Sequence, residues 1–253
     1  MIASRPTLIS IALSAVFLPA SAVFSMESCS VKSSNTLTPV VELYTSEGCS
    51  SCPPADAWLS TLKMAHKEGK VVAQAFHVNY WDYIGWKDRF AAPIYTQRQR
   101  ELSARTHLNS IYTPQIAKNG ITVRDVGSSS ALIAAKETAQ ASIALKQLEA
   151  NRFEAAIEPA AHLGATPWTA YFTVTEHEHL SKVTAGENKG ETLTNDFVVR
   201  QYVPLGQFSG AQTLKFSSLA PTITSGKTHP RQINVVITDA KTGKTMQAIS
   251  LGC

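Results

Sequence analysis

Cys49 and Cys52, separated by Ser50 and Ser51, stand where a short β-prone run gives way to a helical stripe, and this junction restricts the local fold more than any other feature. Val40-Val41-Glu42-Leu43-Tyr44 reads as a strand, and the turn-rich Thr45-Ser46-Glu47-Gly48 ends it. From Cys52 to Ala65 the apolar positions Ala55, Trp58, Leu59, Leu62 and Ala65 recur at near-helical spacing, with Pro53 and Pro54 tolerated in the first turn. Gly69 closes that helix, and Val71 to Val78 reads as a second, buried strand of a parallel pair. The unit is a βαβ with both cysteines at the helix N-terminus.

Beyond it, Asn79 to Leu108 opens on the aromatics Tyr80, Trp81, Tyr83 and Trp86 and continues as a polar helix from Gln97. Ile111 to Ala117 and Ile121 to Val126 read as strands joined at Asn119-Gly120. Ser128 to Ser130 offer caps for a long Ala/Leu-rich helix from about Ala131 to Ile157. From Trp168 the chain turns to β-branched or alternating runs at 169–175, 182–185, 197–203, 212–216, 233–238 and 245–251, which indicate a small antiparallel β-domain. The expected organisation is therefore a leader over residues 1–22, a flexible lead-in over 23–38, an α/β domain over 39–158 and a β-rich domain over 159–253.

The leader expectation rests on Arg5, the apolar run Leu8 to Leu18, and small residues ending in Ala20-Ser21-Ala22, which fit a cleaved export signal. The apolar run is too short to span a bilayer, so no stable membrane insertion is expected. Export to a periplasmic or extracellular compartment implies that disulfides persist. Of the four cysteines, Cys49 and Cys52 form the close pair and leave Cys29 and Cys253 as a staple between the termini or as two free thiols. A formal net charge of +4, with no Lys/Arg block, gives no support for nucleic acid as a partner.

A C-x-x-C pair at a helix start suits thiol exchange, because free N–H groups and the helix dipole stabilise a thiolate. Cys49 would be the exposed nucleophile, and Cys52, one turn inward, would resolve the mixed disulfide. The same spacing serves inert disulfides and zinc sites, although no second C-x-x-C or H-x-x-x-H supplies further ligands. His77, Asn79, Tyr80, Trp81 and Asp82 should emerge at the C-terminal end of the second strand, where α/β sheets place ligand sites. Trp81, Tyr83 and Trp86 read more readily as core aromatics, whereas His77 fits either role. His177 and His179 share one face of a strand at period two, a pattern able to hold copper or zinc but common on solvated faces. No nucleotide or flavin motif calls for an organic cofactor, so electrons would come from a redox partner protein, with protein thiols or disulfides as substrates.

Strand, Cys49-Ser50-Ser51-Cys52-Pro53, helix, strand, and the later Tyr112-Thr113-Pro114-Gln115-Ile116 together resemble thioredoxin. The runs Val41 to Ala57 and Phe76 to Asp88 are more closely similar to a secreted bacterial thioredoxin-like family of unknown function. Thr96-Gln97-Arg98-Gln99-Arg100, Tyr112-Thr113-Pro114-Gln115 and Gly186 to Thr194 also look like that family. The resemblance implies a thioredoxin-like domain with inserted helices, export, a cysteine pair, and a cis proline at Pro114 facing it. With it, Thr113 and Pro114 would hold a substrate chain, and His77, Trp81 and Asp82 would line or tune the site. Gly48 and Ser50-Ser51 depart from thioredoxin, which has an aromatic residue and Gly-Pro at those positions, so no redox potential carries over. Glu42 stands one residue off the spacing of thioredoxin's buried acid and reads either as a proton relay or as a strand-end carboxylate.

Overall fold

The structure, a computed structural model, describes residues 29–124, 132–134 and 136–252. The expected leader, residues 23–28 of the lead-in, the caps at 128–130 and Cys253 lie outside the described residues. The strands are β1 (Ser30–Lys32), β2 (Val40–Thr45), β3 (Val72–His77), β4 (Gln115–Lys118), β5 (Ile121–Val123), β6 (Ala141–Glu149), β7 (Arg152–Pro159) and β8 (Trp168–Glu176). Then follow β9 (His179–Lys182), β10 (Thr192–Asn195), β11 (Val198–Phe208), β12 (Gln212–Ser217), β13 (Ile223–Thr224), β14 (Lys227–Thr228), β15 (Arg231–Asp239) and β16 (Thr245–Leu251). The helices are α1 (Pro53–Ser60), α2 (Lys63–Lys67) and α3 (Pro93–Arg105).

The expected α/β class, with a thioredoxin-like domain and a separate small β-domain, is not what forms: the protein is 44% strand and 16% helix. Two departures account for the difference. The helix expected from about Ala131 to Ile157 does not form over 141–157, where β6 and β7 pair as an antiparallel hairpin. Its Ala, Leu, Lys and Gln favour helix locally, but burial alternates at Ala141, Ile143 and Leu145 and again at Phe153, Ala155 and Ile157, and tertiary packing overrides propensity. The C-terminal strands, moreover, do not build a sheet of their own. They extend the sheet begun by β2 and β3 into one of eight strands, ordered β16-β15-β8-β11-β3-β2-β4-β5. Only β11–β3 and β3–β2 run parallel in it.

A four-stranded antiparallel sheet, β1-β6-β7-β12, packs over the β8, β15 and β16 part of the large one. Its side chains Ile143, Leu145, Phe153 and Ile157 meet Trp168, Phe172, Val235 and Ile249 in the largest core. Each fully buried side chain of this size contributes about 1.5–3 kcal/mol. β1 belongs to the stretch expected to be a mobile lead-in, yet it pairs with β6 in register Val31↔Leu145. Asn119 and Gly120 both take positive φ, 51° and 79°, the geometry of the tight turn expected between β4 and β5.

Alternation in β2 divides its side chains between two layers. Val41 and Leu43 pack with Leu59 of α1, while Tyr44 packs with Phe76, Tyr95 and Leu102 beneath α3. Glu42 shares the α3 face, on the side of the sheet away from α1. There it pairs with Arg98 and accepts hydrogen bonds from the hydroxyls of Tyr44 (2.8 Å) and Tyr171 (2.9 Å). The Arg98 guanidinium also donates to Tyr202 Oη (2.9 Å) and lies 4.3 Å from the Tyr171 ring centre. Burial pushes the Glu42 carboxyl up, and Arg98 with the two hydroxyls more than offsets this and holds it below its ordinary value. Glu42 is therefore a structural anion rather than a relay beneath the cysteines.

Removing one partner of this pair strands a buried charge. Arg98→Met is expected to cost about 3–5 kcal/mol in urea unfolding at pH 7, and Glu42→Gln/Arg98→Met to recover part of it. Because the folded-state pKa of Glu42 is lowered, the pair's contribution is present above the ordinary carboxylate range and is lost as pH falls through the folded value.

Candidate functional site

The strand, turn and helix order around the cysteines forms as the sequence indicates. Cys49 N–H closes a turn onto Ser46 O (3.1 Å), and Cys52 N–H closes the next onto Cys49 O (3.1 Å). Cys52 is the N-cap of α1, with Pro53 and Pro54 in the first helical positions, where a missing N–H costs nothing. Its carbonyl accepts the N–H groups of Ala55 (2.9 Å) and Asp56 (3.0 Å). A disulfide joins Cys49 to Cys52. Neither residue is open to solvent, at 1% and 0% exposure, whereas Ser50 and Ser51 are exposed. The expectation of an exposed Cys49 is thus not met in the disulfide form.

A cluster of titratable groups, with Glu47, His77 and Asp88 buried and Asp56 half-buried, lies behind the pair. Thr45 and His77 are side by side in the β2–β3 register, on the face covered by α1. Thr45 Oγ1 donates to Asp56 Oδ2 (2.9 Å), one helical turn on from Cys52. Burial is the main cause that pushes the Asp56 carboxyl up to about 7; the nearby His77 opposes it, and Asp88 and Glu47 add to it. His77 Nδ1 is 2.6 Å from Asp88 Oδ2. Burial works against a charge on His77, but Asp88 outweighs it and the imidazole pKa is raised. The Asp88 carboxyl, pushed up by burial, is held below its ordinary value by His77 and by the N–H groups of Glu47 and Phe90. His77 Nε2 is buried without a hydrogen-bond partner. Glu47 takes Trp86 Nε1–H and the Asn195 amide, each at 2.9 Å.

Several expected residues converge here and others do not. Gly48 is closely covered, since a Cβ there would lie 3.2 Å from Trp81 Cβ, so Trp81 sits against the cysteine turn. Trp81 Nε1–H in turn donates to Thr113 Oγ1 (2.7 Å), and the Thr113–Pro114 bond is cis. Asp82 does not reach His77; its carboxylate accepts the N–H of Asp88 (3.2 Å), the residue that does. His177 and His179 turn to different partners, Gln232 (2.6 Å) and Glu176 (3.0 Å). Among the described residues no group of three or more His, Cys, Asp or Glu is placed to hold a metal ion. Cys29 is disulfide-bonded, and its expected partner Cys253 lies outside the described residues.

The sequence reading missed Asp56, Asp88, Glu187, Asn188 and Asn195. Asp56 carried a usable signal, four residues after Cys52 on one helix. Glu187 and Asn188 stood in the family-like Gly186 to Thr194 run, but nothing tied that run to the cysteines, 137 and 139 residues away: Ser50 N–H donates to Glu187 Oε2 (2.9 Å), and the Asn188 amide donates to Glu47 O (2.8 Å) and Cys49 O (3.1 Å).

Asp88→Asn tests the buried pair. It is expected to cost about 3 kcal/mol in urea unfolding of the oxidised protein, because a buried charge loses its partner. Asp88 contributes above its unfolded pKa of about 4, and His77 contributes fully below its unfolded pKa of about 6.5. The cost should therefore be largest between those values and shrink as pH rises through the raised folded pKa of His77.

Two solved structures share the fold. A protein of Agrobacterium tumefaciens determined by X-ray crystallography is 22% identical over 87% of this chain and 96% of its own, with a TM-score of 0.63. HBP35 of Porphyromonas gingivalis is 14% identical over 86% of this chain and 75% of its own, with a TM-score of 0.60. No curated protein sequence matches. The sequence profile described as "protein of unknown function (DUF1223)" matches residues 40–238, most of the chain, and the chain belongs to that family.

Proposed function

We propose that this protein is an exported thiol–disulfide oxidoreductase whose working pair is Cys49 and Cys52. The observation that carries the reading is the disulfide at the start of α1 with a half-buried acid, Asp56, one turn behind it, bonded by Thr45 Oγ1 and with its carboxyl pushed up to about 7 mainly by desolvation. An inert disulfide needs no such group. Export is supported by the leader composition of residues 1–22 and by the disulfide itself, which persists in oxidising compartments.

In the reductive direction a partner thiolate attacks Cys49 Sγ. The Cys49–Cys52 bond breaks, a mixed disulfide forms at Cys49, and the electron pair leaves on Cys52 Sγ. Cys52 is the N-cap of α1, where the positive end of the helix dipole favours the thiolate. Neutral Asp56 then supplies the proton that makes Cys52 a thiol. A second partner thiolate cleaves the mixed disulfide and releases Cys49. Run backwards, ionised Asp56 takes the proton from Cys52, which attacks the mixed disulfide and expels the partner. Substrates on this reading are protein thiols or disulfides, and a redox partner protein supplies or removes the electrons.

One observation favours a second reading, a purely structural disulfide: both cysteines are buried. Mixed-disulfide capture separates the two. Cys52→Ser incubated with oxidised glutathione under native conditions is expected to accumulate a stable adduct at Cys49, which the wild-type protein resolves. Absence of any adduct on folded Cys52→Ser would overturn the oxidoreductase reading.

Asp56→Asn tests the proton step. Resolution of the Cys49 adduct is expected to accelerate in the wild type as pH rises through about 7, where Asp56 ionises. The variant should lose that inflection and resolve about a hundredfold more slowly at higher pH. An unchanged profile would remove Asp56 from the mechanism.

A further inference from the structure

The motif is covered from a distant part of the chain. β9 and β10 pair antiparallel, and the loop between them runs from Val183 to Glu191, tied at its base by Val183 N–H to Glu191 O and Gly190 N–H to Val183 O, each 2.9 Å. Its tip meets the cysteine turn through two consecutive side chains of opposite character. Asn188 is buried, and its one amide group clips two carbonyls, those of Glu47 and Cys49. Glu187 is exposed, and its carboxylate occupies the N–H of Ser50, the residue next to Cys49.

That amide matters for charge. The Cys49 N–H is committed to Ser46 O and the Cys52 N–H to Cys49 O, so the Ser50 N–H is a donor of this turn given to an acid from outside it. A thiolate on Cys49 needs the same donors and the same positive end of α1. The other titratable groups around the motif are Glu47 at the end of β2, Asp56 of α1, His77 of β3 and Asp88 in the following loop. All four lie behind it. Glu187 reaches it from the solvent side, where a partner must approach.

We propose that Glu187 and Asn188 form a latch that holds Cys49–Cys52 in the oxidised, covered state, and that Glu187 opposes the negative charge reduction places on Cys49. Asn188 supplies the hold and Glu187 the charge that makes it redox-sensitive. Reduction puts a thiolate beside a carboxylate that competes for one N–H, and like charges this close repel. The carboxylate leaves, and Cys49 opens to its partner. Ser50 donating to Glu187 keeps that carboxyl ionised, below its ordinary value. Glu187 thus acts as a positioning residue. The proposal rests on the pair being reducible, as the oxidoreductase reading requires.

Glu187→Gln removes the charge and keeps a carbonyl that Ser50 N–H can reach. The first readout is the fraction of reduced pair across a glutathione redox series. The variant is expected to favour the reduced form by about twofold to fivefold, the effect of one charge at a helix N-terminus. The second is the alkylation rate of Cys49 against pH in phosphine-reduced Cys52→Ser protein, with and without Glu187→Gln; the midpoint should fall in the variant. Asn188→Ala is expected to speed reduction of the disulfide by phosphine. An unchanged alkylation midpoint in Glu187→Gln overturns the latch. If the wild-type pair resists glutathione at every ratio, the oxidoreductase reading fails instead, and the alkylation profiles still decide the role of Glu187.

Discussion

Phe197 gives its carbonyl to the amide of Ala75 at 2.8 Å, and through this join β11 lies parallel to β3 with Val198 opposite Ala75. Much else follows from that contact. It continues the β2–β3 pair into β8, β15 and β16, so both halves of the chain share one sheet and the smaller sheet has a surface to cover. It also fixes the segment just before β11, where Asn195 bonds Glu47 and the β9–β10 loop reaches the cysteine turn. The Lys63–Asp196 ion pair (2.8 Å) and the bond from Arg89 to Leu180 O (2.8 Å) hold the same segment from other sides.

The site behind the cysteines illustrates how burial and pairing divide labour among acids of one type. Asp88 has His77 and two backbone N–H groups, and its charge is stabilised despite full burial. For Asp56 desolvation outweighs His77 and the Thr45 hydroxyl, with Asp88 and Glu47 adding to it, and its carboxyl is pushed up to about 7. Environments that push two carboxyls apart in this way separate a held charge from a group that titrates near neutrality, the one the proposed exchange would use. Glu42, on the other face of the sheet, belongs with Asp88: Arg98 and two tyrosines hold its charge.

What the sequence disclosed followed its local signals. The Val40–Tyr44 run, the prolines after Cys52, the β-branched 71–78 run and Asn119-Gly120 each carry a short-range physical preference, and each formed close to its expected place. The 141–157 stretch misled because alanine, leucine, lysine and glutamine prefer helix, while the alternation of Ile143 with Leu145 and of Phe153 with Ile157 becomes decisive only once a facing sheet exists. Asn151, at φ 63°, marks the turn between the two strands, a weak signal set beside so many helix formers. At the site, the choice between Asp82 and Asp88 as the partner of His77 depended on how a loop folds back, which no periodicity encodes. Trp81, expected at the end of the second strand, lies against the cysteine turn and bonds Thr113, a contact that no local pattern announces.

The proposed exchange rests on a disulfide built into a helix N-terminus, with an acid near neutrality behind it and a carboxylate on the amide beside it. The reduction potential of the wild-type Cys49–Cys52 pair, obtained by trapping thiols after equilibration at defined redox ratios, addresses this without any variant. A reversible couple between about −120 and −270 mV is expected, the range of catalytic thiol exchangers. A pair that stays oxidised below about −300 mV would behave as a structural disulfide and contradict an exchange role.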